Sequence, residues 1–187
     1  MRKFFWLLTL ALLFSSACSK QPERKISLAN PAATRAGIQT LTGKVVSVAD
    51  GDTVTVLDAA NVQHRIRLAG IDAPESHQAF GEQSRRSLSE MVFGKEVTVN
   101  YQKTDQYGRL VGKILIENKD IDLAQVKAGL AWHYKFFESE QTSEDRELYA
   151  QAEDEAHAAR RGLWQDPNPV EPSEFRREGR LERENAR

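Results

Sequence analysis

The sequence predicts an α+β fold, a small five-stranded barrel carrying three helices. Three observations lead there. From Leu41, LTGKVVSVADGDTVTVLDAANVQHRIRLAG alternates β-branched and polar residues, with breaks at Asp50-Gly51-Asp52 and around Ala59 to Asn61. That is the pattern of three consecutive strands. KEVTVNYQK and RLVGKILIEN repeat the alternation on either side of the turn Thr104-Asp105-Gln106-Tyr107-Gly108 and supply two more strands. Three helix-spaced segments complete the set, one after the third strand and two after the fifth. A five-stranded Greek-key barrel is a known solution at this size, although the pattern leaves the strand order open.

The elements follow in chain order. Arg2 and Lys3 precede the apolar run Phe4 to Phe14, and Ser15-Ser16-Ala17-Cys18 follows. A basic start, a short apolar core and small residues describe a secretory signal peptide over residues 1–17. The run is too short for a membrane-spanning helix, which needs about 20 apolar residues; a buried N-terminal helix is the alternative. Cys18 is the only cysteine, so it has no internal disulfide partner. It stands where a lipoprotein signal is cut, after Ser16 and Ala17, with Ser15 where that motif usually has leucine. Lipidation of Cys18 explains an exported lone thiol. The expectation is a lipoprotein anchored in the bacterial envelope, with periplasmic or secreted protein as the alternative.

Residues 18–40 carry the lipidated cysteine and a polar tether with two prolines. The folded domain is expected over 41–165. Its helices run from Gln78 to Val92, closed by Gly94, from Asp120 to Gly129, and from Thr142 to Arg161 with Gly162 as the stop. The tail, 166–187, holds three prolines and eleven charges in 22 residues, and reads as extended or disordered. Removing the signal takes two of the 26 basic residues and leaves 24 against 27 acidic ones. The resulting net charge of −3 excludes bulk attraction to polyanions, so phosphate binding must come from a local cluster.

Local clusters are present. Asp52 follows a turn glycine and opens the second strand, and Asp72 follows Gly70-Ile71 at the end of the third. Two strand-end carboxylates near backbone carbonyls suit a hard cation such as Ca2+. Zinc is disfavoured because the four histidines, at 64, 77, 133 and 157, show no ligand spacing. Pro74 fixes its own backbone and biases Ala73 away from helix, which holds Glu75 just past the strand end. A carboxylate there can orient or deprotonate water. Arg67 and Arg109 can grip a phosphate through forked hydrogen bonds that lysine does not reproduce. Arg67 precedes Asp72 by five residues, and on a regular strand an odd separation puts the two on opposite faces. Each motif alone also has a plain reading: a solvated turn for DGD, a strand stop for IDAPE, a surface ion pair of little energetic weight for Arg and Asp.

Taken together, DGDT at 50–53, R-x-x-x-x-D-x-P-E at 67–75 and D-x-Y-G-R at 105–109 resemble the staphylococcal nuclease (thermonuclease) family. GLA at 129–131 and RGLW at 161–164 fit its two C-terminal helical segments, so the resemblance covers residues 41–165. It implies an oligonucleotide-binding (OB) barrel, Ca2+ dependence, and endonucleolytic hydrolysis of DNA and RNA to 3′-phosphate ends by a monomer. It implies Asp52 and Asp72 as side-chain metal ligands, and Ala73 as a ligand through its carbonyl where the family's founding member has threonine. Glu75 takes the place of the general base, and Arg67 and Arg109 those of the phosphate-gripping pair, in a family whose strand curves enough to join Arg67 to Asp72. Tyr107 and Tyr134 are the candidate substrate-binding aromatics, with Lys135 beside them; packing beneath the helices is the alternative for Tyr134. Gln106 stands where the founding member has lysine, and the basic loop after the PE motif is shorter. Two other readings stay open: a barrel that binds nucleic acid without cutting it, and a carboxylate-pair hydrolase of envelope sugars using Asp72 and Glu75. The latter gives Arg67 and Arg109 no role.

Overall fold

The computed structural model describes residues 37–186 of the chain; the expected signal peptide, Cys18 and most of the tether lie outside the described residues. Strands β1 (Gln39–Val48), β2 (Thr53–Leu57) and β3 (Gln63–Leu68) form an antiparallel meander. A two-residue strand, β4 (Ile71–Asp72), follows, and then helix α1 (Gly81–Val92). Strands β5 (Glu96–Thr104) and β6 (Leu110–Ile116) pair as a hairpin, with β5 against β1 and β6 parallel to β3. The cyclic order β1-β2-β3-β6-β5 is a closed five-stranded OB barrel. Register shifts between Val45 and Ser47 and between Tyr101 and Lys103 bend β1 and β5, as closure requires.

Inward-facing Val45, Val54, Val56, Ile66, Leu68, Val97, Val99 and Ile114 fill the core. The short strand β7 (Lys119–Asp120) prolongs the β6 hairpin into α2 (Ile121–Lys127), where the Asp120 carboxylate caps the helix by accepting from Leu123 N–H at 2.9 Å. Strand β8 (Trp132–His133) pairs with β4. A 3-10 segment (Lys135–Glu140) leads to α3 (Ser143–Ala158), capped by the Thr142 hydroxyl. Tyr149, Ala152 and Ala156 seat α3 on the core. The helix stops at Ala158, with Arg160 and Gly162 both in the left-handed region.

The tail departs from expectation. Residues Pro172–Asn185 form a fourth helix, α4. All three tail prolines lie at or before its first turn, and Pro172 occupies the position where a missing N–H costs nothing. The charged run beyond it contains no proline and pairs Arg177 with Glu174 at 3.0 Å, one turn apart.

Candidate active site

The β1–β2 turn delivers Asp52. Thr53 pairs with Arg67 across the sheet, and Leu68 N–H donates to the Asp52 carbonyl at 2.8 Å, so Asp52 starts beside Arg67. Gly51 permits the close approach of this turn to α1: a Cβ there would stand 1.8 Å from Ser84 Oγ. Buried Gln125 of α2 locks the turn by donating to the Gly51 carbonyl at 2.9 Å and the Ser84 carbonyl at 3.1 Å.

After Leu68 the chain turns at Ala69-Gly70, with Gly70 at φ +73°. The next strand pairs with β8 and not with the barrel. Arg67 and Asp72 therefore sit on two strands joined by a turn, and the face rule for one continuous strand does not apply to them. Arg67 Nη2 lies 2.8 Å from Asp72 Oδ1, and Nη1 lies 3.0 Å from Asp52 Oδ2. The same Nη1 donates to the carbonyls of Ile71 at 2.9 Å and Leu68 at 3.2 Å. Only 13% of the Arg67 side chain is exposed. Its donors are thus engaged by the two aspartates and the backbone, a tighter protein embrace than a free phosphate clamp. Asp52 Oδ2 also accepts from Ala73 N–H at 2.7 Å, which ties the third expected ligand residue to the first.

Carboxylates crowd this end of the barrel. Asp50 Oδ1 accepts from Asp52 N–H at 3.1 Å. Burial, helped by the neighbouring Asp52 charge, pushes the Asp50 carboxyl up to about 6. Burial also raises Asp72 above its ordinary value, more than Arg176 and Arg67 pull it down. Buried acids that repel one another fit a site for positive charge. Among the described residues no three His, Cys, Asp or Glu side chains form a metal cluster, so a cation here would add backbone oxygens and water to its carboxylates. That donor set fits Ca2+, and Asp52, Asp72 and the Ala73 carbonyl are the groups that would hold it.

Glu75 lies past Pro74, in a turn that Gln78 pins from both sides. Glu75 N–H donates to Gln78 Oε1 at 3.1 Å and Gln78 N–H to the Glu75 carbonyl at 2.8 Å. The Glu75 carboxylate is 38% exposed and accepts from Arg176 of α4 at 2.6 Å. Arg109 follows the β5–β6 turn. Arg67 pairs with Val111, and Arg109 precedes Val111 by two residues, so strand alternation puts both arginines on the outer face of the barrel. Arg109 Nε donates to Asp105 Oδ2 at 2.7 Å, and among the described residues its two terminal nitrogens have no protein partner. Asp105 also accepts from the backbone N–H groups of Tyr107 and Arg109 at 2.9 Å each. Burial pulls the Asp105 carboxyl up, but these hydrogen bonds outweigh it and hold the group below its ordinary value. Arg109 is therefore anchored at one edge, with its fork free.

Tyr107 is 70% exposed, with the Arg109 guanidinium 5.4 Å from its ring centre. Tyr134 is half-buried, its ring 5.2 Å from that of Phe137 and 6.2 Å from that of Phe136, both of which are exposed. Its N–H donates to the Gly70 carbonyl at 2.9 Å, which joins this group to the turn before Asp72. Lys135 pairs with Glu153 at 2.7 Å.

Four participants were not singled out in the sequence. Asp50 and Asp105 were visible as members of DGDT and D-x-Y-G-R, but as turn residues. Gln125 and Arg176 carry no local signal, because each reaches the site only through tertiary packing.

Comparison with known proteins places the chain among nucleases. The family model described as "Staphylococcal nuclease homologue" matches residues 65–166, a segment holding Arg67, Asp72, Glu75 and Arg109. The chain is 42% identical to an "Uncharacterized endonuclease" of Haemophilus influenzae, over 75% of each chain. It is 41% identical to "Protein ParB" of Escherichia coli, over 77% of this chain and 84% of that one. It is 40% identical to a "Micrococcal nuclease" of Shigella flexneri, over 72% and 80% respectively.

Proposed function

The chain belongs to the staphylococcal nuclease family, and we propose that it is a calcium-dependent endonuclease that hydrolyses DNA and RNA to 3′-phosphate ends. The observation that carries the reading is the junction at Arg67, which holds Asp52 and Asp72 within 3.0 Å of one guanidinium beside the turn that presents Glu75.

Bound Ca2+ would supply positive charge at a non-bridging oxygen of the scissile phosphate. Glu75 accepts a proton from the attacking water, whose oxygen bonds to phosphorus as the bond from phosphorus to the 5′ oxygen breaks. The 5′ oxygen leaves with a proton from solvent, and the phosphate stays on the 3′ side. Arg109 directs its free fork at the charge that develops on phosphate, and Tyr107 offers its exposed ring to a neighbouring base or sugar. Loss of one such preorganised contact lowers the rate by about 10²–10³, and general base action contributes about 10²–10⁴. In this reading the protein acts as a monomer.

Digestion of single-stranded DNA and of RNA tests the reading. Cleavage is expected with Ca2+, little with Mg2+ and none with chelator, with product ends that a 3′-phosphatase converts to hydroxyls. Mg2+ demands tighter octahedral geometry and gives up its waters reluctantly. Tight binding without cleavage would favour the non-catalytic barrel, and undiminished turnover in chelator would remove calcium. At the N-terminus, Cys18 carries lipid and anchors the exported protein to the envelope membrane in this reading. Cys18→Ser is expected to release the protein from membranes or leave its signal uncleaved; a soluble wild type beginning after Cys18 would favour simple secretion.

A further inference from the structure

Arg176 lies ten residues beyond the matched segment, yet its guanidinium enters the site. Nη2 is 2.9 Å from Asp72 Oδ2, and Nη1 is 3.3 Å from Asp72 Oδ1 and 2.6 Å from Glu75 Oε1. One side chain from the tail thus clamps both the expected metal ligand and the expected base.

We propose that Arg176 is a built-in cation of the free enzyme, one that competes with Ca2+ for Asp72, covers Glu75, and is expelled with α4 when the metal binds. The inference rests on the calcium reading above. Both Asp72 oxygens accept from arginines, Oδ1 from Arg67 and Oδ2 from Arg176. A cation approaching this carboxylate meets the like charge of both guanidiniums, a repulsion that is relieved when one of them withdraws. Arg67 is 13% exposed and is also held by Asp52 and two carbonyls, whereas Arg176 is 36% exposed and among the described residues holds only the two acids. Arg176 is the one that leaves.

The rest of α4 is attached lightly enough to follow. Pro172 is buried, and Phe175 lines a cavity of about 200 Å³ with Phe80, Trp132, Leu163 and Val170. Gln78 donates to the Val170 carbonyl, so the turn that carries Glu75 is joined to the start of the tail helix. Residues 177, 178 and 180–186 are all exposed. Few buried contacts make a segment that opens at low cost.

Calorimetric titration of Ca2+ into the full-length protein tests the proposal, with Arg176→Gln and Arg177→Gln compared to wild type. Arg177 pairs with Glu174 on the exposed side of α4, so its variant removes the same charge from the same helix without touching the site. Arg176→Gln is expected to bind Ca2+ about 5–10-fold more tightly, as for a site that is open 10–20% of the time in wild type; Arg177→Gln is expected to match wild type. In wild type, saturating Ca2+ should also speed hydrogen exchange at amides 173–179, which should already be fast in Arg176→Gln. Equal affinity in wild type and Arg176→Gln, an equal gain in Arg177→Gln, or exchange unmoved by Ca2+ would overturn the proposal. No binding heat in any of the three proteins would overturn the calcium reading itself and the proposal with it.

Discussion

Arg67 and Asp72 meet at 2.8 Å across the turn at Gly70, and the same guanidinium holds Asp52 at 3.0 Å. The Arg109 side chain, by contrast, is held among the described residues through Nε alone, by Asp105. The two arginines should therefore fail differently. Arg67→Lys keeps the charge but cannot bridge two carboxylates and two carbonyls, so we expect a fall of about 10²–10³ in rate together with a melting point several degrees lower. Arg109→Lys should lose a similar factor in rate with little change in melting. Parallel kinetics and thermal melts check this; equal melting losses would show that Arg109 also carries structure.

Glu75 is a half-exposed turn residue whose backbone, not its carboxylate, holds the turn to Gln78. Glu75→Gln keeps the volume and removes the base. We expect kcat to drop by at least about 10², with the melting point within a degree or two of wild type. A variant with near-normal kcat would take the base role away from this residue.

The metal-ligand turn is held from behind. A Cβ on residue 51 would meet Ser84 Oγ at 1.8 Å, and overpacking of this kind costs about 1–3 kcal/mol. Gln125→Ala leaves the Gly51 carbonyl without its 2.9 Å donor, a loss of about 1–3 kcal/mol for a buried polar group. Both Gly51→Ala and Gln125→Ala should raise the Ca2+ concentration for half-activation, because Asp52 moves with the turn. Asp52→Asn should raise that concentration directly, by removing a charged ligand, and should lower stability only through the weakened pair with Arg67. Urea midpoints and calcium titrations on the three variants separate the two effects.

Asp122 is fully buried, and Ile114 N–H donates to its Oδ1 at 3.1 Å, while among the described residues Oδ2 has no hydrogen-bond partner. Burial first, and then the Asp120 charge, raise its carboxyl well above the ordinary 3.8. A raised carboxyl binds its proton more tightly in the folded chain. The stability it contributes is thus complete at pH values below 3.8 and is lost as pH rises through the folded value. Asp122→Asn keeps the Oδ1 acceptor and removes the titration. We expect it to melt close to wild type at pH 4 and higher than wild type at pH 8, by about 2–4 °C for each kcal/mol recovered. A gap that does not widen with pH would show that the Asp122 carboxyl loses its proton at the same pH in the folded and unfolded chain, and so is not raised by burial.

By itself the sequence determined the barrel strands and their turns and the helices that follow them, and it singled out Asp52, Arg67, Asp72, Glu75 and Arg109 as candidates. These are local matters: strand alternation has a period of two residues, helix spacing repeats within one or two turns, and turn glycines act where they stand. The tail helix was only half legible, since its prolines read as breakers until Pro172 is recognised as a first-turn residue. Tertiary structure alone decided the rest. It made the five residues from Arg67 to Asp72 cross a turn instead of one strand, and it spent the Arg67 donors on the aspartates while leaving the Arg109 fork free. It also brought Arg176 onto Asp72 from 104 residues away in the chain. A contact at that separation has no period and no neighbouring signal to announce it; closure of the barrel and the seating of Phe175 against the core create it.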